Sequence, residues 1–145
     1  MAHTLVKDVM KKEIVELDGS ASIQDAALKM TQNKIGSVIV TNDGRHVGIL
    51  TEKDFVSIAS EGKPLFTAIS QVMSSPIISI NSEETIWEAA ELMKKNSIHK
   101  MPVEENKEIV GMLTATDLVK ICSLGSDSQM RRICDQILSR MQSES

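Results

Sequence analysis

Two stretches of the chain carry apolar residues at i, i+3, i+4 and i+7: Ile23, Ala26, Ala27, Met30, and again Ile86, Ala89, Ala90, Met93. That spacing predicts an amphipathic helix with one face turned to a core. A short apolar strand precedes each helix (residues 14–17 and 77–80), with Asp18-Gly19-Ser20 or Asn81-Ser82 between them as capping residues. Two further apolar runs follow each helix, 37–41 with 46–50 and 100–103 with 109–113. Asn42-Asp43-Gly44 and Glu105-Asn106-Lys107 supply the intervening turns, and the first is a hairpin signal because Asp-Gly tolerates a left-handed backbone. A second helix is predicted to open at Thr51 and at Thr114.

The two halves are copies. Compared without gaps, residues 9–58 and 72–121 are identical at 17 of 50 positions, where unrelated sequence would give roughly three. The matches include Met10/Met73, Ile14/Ile77, Gly48/Gly111, Thr51/Thr114 and Asp54/Asp117. Each copy reads β-α-β-β-α, so an α+β fold of two tandem repeats related by an approximate two-fold is expected. A unit of about 50 residues buries too little surface to stand comfortably alone, and packing two together remedies this. The expected boundaries are 1–60 for the first repeat, 61–66 for a linker, 67–124 for the second repeat and 125–145 for a C-terminal amphipathic helix and tail. In that last piece Met130, Ile133, Cys134, Ile137, Leu138 and Met141 repeat at helical spacing. The helix either packs back on its own module or builds a homodimer; Met-rich faces suit adaptable interfaces.

Composition narrows the function. Sixteen basic and twenty acidic side chains give 16 − 20 = −4, without a basic run to follow a nucleic-acid backbone. Phe55, Phe66 and Trp87 are the only aromatics, too few for a base-stacking platform. Nucleic acid is excluded as an expected partner, and so is a membrane, since no window approaches the roughly 18 apolar residues of a spanning helix. The first residues meet charge too early for a signal peptide, and Cys122 and Cys134 form no CxxC. A cytoplasmic protein with two structural thiols is expected. His3, His46 and His99 are not at metal-ligand spacing with other donors, and no GxxxxGK[ST], GxGxxG or GxSxG occurs. Neither an enzyme mechanism nor a required cofactor can be assembled.

The chemistry that remains is Thr51-x-x-Asp54 and Thr114-x-x-Asp117. A hydroxyl residue followed three positions later by an acid, ahead of an apolar run, is a capping box. The same pattern also suits a ligand, because a helix start presents spare N–H groups and a positive dipole end to a phosphate. A threonine hydroxyl there can bind a phosphate oxygen, and a carboxylate one turn later can accept both hydroxyls of a ribose. Cations to balance phosphate would come from Lys53, His99 and Lys100, with Lys34 and Arg45 as further candidates.

Val-Gly-Ile-Leu-Thr-Glu-Lys-Asp (47–54), its repeat Val-Gly-Met-Leu-Thr-Ala-Thr-Asp (110–117), and Ile98-His99-Lys100-Met101-Pro102-Val103 resemble the CBS-domain family. The resemblance spans residues 5 to about 122 in two copies, the arrangement called a Bateman module. It implies a regulatory module that senses AMP, ADP, ATP or an adenosyl compound such as S-adenosylmethionine in the cleft between its halves, alters their orientation and signals to a partner protein. It implies phosphate contacts from Thr51 and Thr114 and ribose contacts from Asp54 and Asp117, with Lys53 and Thr116 lying within the two runs. Adenine is implied to lie against Ile14 with Gly36, Ser37 and Val38 in one copy. In the other the matching positions are Pro76 and Ile77 with His99, Lys100, Met101 and Pro102. The modest positive charge favours a mono- or diphosphate. The alternative is a ligand-free interaction scaffold whose Thr-x-x-Asp runs only cap helices.

Overall fold

The computed structural model describes residues 4–122, 131, 132, 134 and 135. The first repeat runs β1 (Glu16–Asp18), α2 (Ile23–Asn33), β2 (Ser37–Asn42), β3 (Arg45–Thr51) and α3 (Glu52–Glu61), after a short α1 (Val6–Val9). The second runs β4 (Ile80–Asn81), α4 (Ile86–Asn96), β5 (Lys100–Glu105), β6 (Glu108–Thr114) and α5 (Ala115–Cys122), after a single 3₁₀ turn at Ile69–Gln71. Each repeat builds a three-stranded sheet, β1-β2-β3 or β4-β5-β6. Its first pair is parallel across the helix and its second an antiparallel hairpin. The hairpins slip register at the same place, between Val40 and Thr41 and between Val103 and Glu104.

Both hairpin turns are left-handed at two successive residues, Asp43 and Gly44 in one, Asn106 and Lys107 in the other. Gly44 accepts this without cost, whereas Lys107, at φ 67°, crowds its Cβ against the backbone. Lys107→Gly is therefore expected to stabilise the chain by about 1 kcal/mol. Urea unfolding checks this: the midpoint should rise, and a lower midpoint would contradict it.

The helix caps lie slightly later than the sequence suggested. Ser22 accepts the Asp25 N–H at 3.0 Å and Thr85 accepts that of Glu88 at 3.2 Å. Asp18 and Asn81 instead turn the chain out of the first strand, accepting the N–H groups of Ser20 and Glu83 at 2.9 Å. The Ser20 hydroxyl, and then its N–H, hold the Asp18 carboxyl below its ordinary pKa. The opening strands are also shorter and later than read, because only Glu16–Asp18 and Ile80–Asn81 join a ladder.

The chain divides into two compact units, Ile14–Ile78 and Met1–Glu13 with Ser79–Ser145. These do not coincide with the repeat boundaries of the sequence. The segment leading into each repeat is built into the unit formed by the other repeat's sheet and helices. In one unit Ile69 and Ser70 donate to the carbonyls of Ala21 and Gly19, and Ser74 exchanges hydrogen bonds with Ile49. In the other, Val6 and Lys7 donate to Glu84 and Ser82, and Lys11 exchanges hydrogen bonds with Met112. Every one of these residues matches its counterpart 63 positions away. The first core gathers Ile23, Ala26, Met30, Val38, Val40, Leu50, Ile58 and Ile69. The second buries Val6, Ile86, Ala89, Met93, Met101, Val103, Leu113 and Leu118.

The expected C-terminal helix and its dimer role fall outside the described residues, except that Arg131, Arg132, Cys134 and Asp135 have helical backbone. The expectation of two thiols is corrected at Cys134, which is disulfide-bonded; among the described residues there is no free cysteine. Sulfur proximity decides bond formation as well as compartment does, so cysteine usage no longer argues for a reducing environment.

Candidate functional site

Each Thr-x-x-Asp run lies where a hairpin's outer strand turns into a helix. Ser37 is the register partner of Thr51, and Lys100 that of Thr114, so the helix-to-strand turn of each repeat flanks its helix mouth. The first helical N–H is taken locally, Glu52 donating to the Gly36 carbonyl at 3.2 Å and Ala115 to that of His99 at 2.8 Å. Gly36, Ser37, Thr51 and Asp54 thus gather in one unit, with Lys53 exposed on the first turn of α3. His99, Lys100, Thr114 and Asp117 gather in the other, with Thr116 exposed on α5.

Both carboxylates reach back to their own helix caps. Asp54 Oδ2 accepts the Thr51 N–H at 2.8 Å and the Thr51 hydroxyl at 3.2 Å, and its Oδ1 accepts the Ser74 hydroxyl at 2.9 Å. Asp117 Oδ2 accepts the Thr114 N–H at 3.1 Å, while the Asp117 N–H donates to Thr114 Oγ1 at 3.1 Å. Its Oδ1 faces Lys11 Nζ at 3.7 Å, and the Asp117 side chain is only 7% exposed. The capping arrangement is therefore present in both copies. It does not exhaust either group, since a carboxylate offers about four acceptor positions.

The remaining candidates are placed as follows. Ile14 is half-buried ahead of β1, beside Val15, whose carbonyl accepts the Ile39 N–H at 2.8 Å. Val38, Met101 and Pro102 are fully buried, their side chains spent on packing, so a ligand could meet only their main chain. Pro76 and Ile77 belong to the same compact unit as Thr51 and Asp54, not to the unit that holds His99 and Thr114. Sequence reasoning missed Ser74 and Lys11, the two groups that face the carboxylates from the leading segments. The signal was available: Val72-Met73-Ser74 repeats Val9-Met10-Lys11. Among the described residues no group of His, Cys, Asp or Glu could hold a metal ion, and no helix is long and apolar enough to cross a membrane. An open depression of about 530 Å³ lies along α4, lined by Glu88, Glu91, Leu92, Lys94 and Lys95, and shares none of the helix-mouth residues.

Two tandem α+β repeats with matched helix mouths define the class of protein. The model of the CBS domain matches twice, at residues 6–61 and 69–123, and the chain belongs to the CBS-domain family. It is 30% identical over 114 residues to the CBS domain-containing protein YhcV of Bacillus subtilis, covering 78% of this chain and 81% of that protein. An uncharacterized conserved protein from Pyrococcus horikoshii superposes with a TM-score of 0.80 at 27% identity, over 88% of this chain and 99% of the other. The CBS domain pair of protein MJ0100, solved in complex with 5′-methylthioadenosine and S-adenosyl-L-methionine, superposes with a TM-score of 0.77 at 25% identity, over 84% and 98%. Other curated relatives are longer, and the chain spans 24% to 64% of them.

Proposed function

We propose that this chain is a non-catalytic regulatory module that binds an adenine nucleotide or adenosyl compound at its helix mouths and relays the binding to a partner protein. The observation that carries this reading is the adenosyl-bound CBS pair, whose fold is shared over most of the chain. The helix mouths support it chemically. Each combines a positive dipole end, a threonine hydroxyl and a carboxylate with acceptor capacity left for sugar hydroxyls. Asp54 and Asp117 would hold ribose, Thr51 and Thr114 phosphate, and the main chain around Gly36–Val38 and 99–101 would read the base edge. A ligand regulates only by binding two states of the module unequally, so the partner must distinguish those states.

The completed capping boxes favour a second reading, a scaffold that holds no ligand and works by protein contact alone. A thermal-shift panel of AMP, ADP, ATP, S-adenosylmethionine and 5′-methylthioadenosine separates the two. A ligand at 100 times its dissociation constant adds about 2.7 kcal/mol, several degrees for a chain of this size. At least one compound is expected to give such a shift; silence from all of them would leave the scaffold.

A further inference from the structure

We infer that the two helix mouths are chemically unequal, and that Lys11 makes the Thr114–Asp117 mouth selective for a phosphate-bearing adenosyl ligand. The inference rests on the ligand-binding reading above and concerns how its two sites divide the work. Three differences point the same way. The hydroxyl proton of Thr51 is committed, because a carboxylate only accepts and Thr51 Oγ1 lies 3.2 Å from Asp54 Oδ2. Thr114 Oγ1 accepts the Asp117 N–H, as Thr51 accepts its own N3 N–H in the first capping box, but its proton is not drawn to the carboxylate and can be donated to a phosphate oxygen.

The carboxylates differ next. Asp54 already accepts three hydrogen bonds, two on Oδ2 and the Ser74 hydroxyl on Oδ1. Asp117 accepts one, on Oδ2, and its Oδ1 faces Lys11 Nζ at 3.7 Å, beyond hydrogen-bond range. That contact is held by charge and not by geometry. The Lys11 side chain is 65% exposed on a flexible stem, so its ammonium can swing from Asp117 to an arriving phosphate. Oδ1 is then freed for sugar hydroxyls in the same movement.

Local charge completes the contrast. The first turn of α3 carries Glu52, Lys53 and Asp54, a sum of −1, and faces the neutral Ser74. The first turn of α5 carries Ala115, Thr116 and Asp117, also a sum of −1, which Lys11 offsets, with Lys100 beside the same mouth as the register partner of Thr114. Lys11 and Ser74 occupy equivalent places in the two leading segments, each facing the carboxylate of its own unit. This exchange sets the charge that faces each carboxylate from its leading segment.

Isothermal titration of the full chain tests this with AMP and with 5′-methylthioadenosine, which lacks phosphate. Asp54→Asn serves as the background, so that the second mouth dominates. In that background Lys11→Gln is expected to weaken AMP at least tenfold and 5′-methylthioadenosine less than threefold. Lys11→Arg, which keeps the cation, should retain AMP affinity. An equal loss for both ligands, an unchanged AMP affinity, or a Lys11→Arg variant as weak as Lys11→Gln would overturn the inference while leaving the ligand-binding reading intact. Absence of binding by the unsubstituted chain to either compound would overturn both.

Discussion

Gly111→Ala is expected to destabilise the chain by about 1–3 kcal/mol, and Gly48→Ala by less. A Cβ on Gly111 would stand 2.7 Å from the Lys11 carbonyl oxygen and 2.8 Å from Met10 Sδ. That carbonyl cannot retreat cheaply, since Lys11 and Met112 exchange two backbone hydrogen bonds at 2.8 and 2.9 Å. The glycine of each Val-Gly-x-Leu-Thr run is thus needed because a leading segment crosses directly over the strand. At Gly48 the nearest neighbour is the Met73 sulfur, the far end of a flexible side chain, and the Ser74 carbonyl lies at 3.0 Å. There the added methyl is met mainly by moving the Met73 side chain, with the Ser74 carbonyl, less closely approached than that of Lys11, giving only slightly. Urea unfolding of both variants should give the order wild type, Gly48→Ala, Gly111→Ala from most to least stable. Reversal of the last two, or no loss at Gly111, would mean the crossing segments are not held as described.

The second large effect concerns the carboxylates. Hydrogen bonds to a charged group are worth about 1.5–3 kcal/mol each, so loss of the pair that grips a ribose should weaken a ligand by a hundredfold or more. Asp→Asn is the informative change. The amide keeps one oxygen, which can still accept the cap N–H of Thr51 or Thr114, so the helix start is retained at a cost of roughly 1 kcal/mol or less. It loses the charge and the second acceptor. Asp54→Asn with Asp117→Asn should therefore leave a folded chain that no longer holds an adenosyl ligand. A pure capping role predicts the same small stability change and no effect on binding.

Much of this architecture is legible in the chain. The 63-residue repeat, the helical stripes and the hairpins follow from side-chain periods that backbone geometry imposes. The Thr-x-x-Asp runs are visible as helix starts, and the capping arrangement weighed against the ligand role is realised at both. What the sequence hides is which partner a segment chooses. Leading segments 4–11 and 67–74 carry the same pattern, and each occupies the equivalent place in its unit. Period alone therefore cannot say that each docks in the unit formed by the other repeat. For the same reason Lys11 and Ser74 were invisible as neighbours of Asp117 and Asp54, being 106 and 20 residues away in sequence. The direction in which a single hydroxyl proton points, toward Asp54 at Thr51, is likewise a product of the assembled site. The disulfide at Cys134 depends on sulfur proximity, which spacing does not encode.

The measurement that bears most directly on the function is calorimetric titration of AMP into the unsubstituted chain and into the folded Asp54→Asn, Asp117→Asn double variant. Saturable binding by the first and at least a hundredfold weaker binding by the second is the expected result. Equal affinity in the two would show that these carboxylates do nothing but finish their helices.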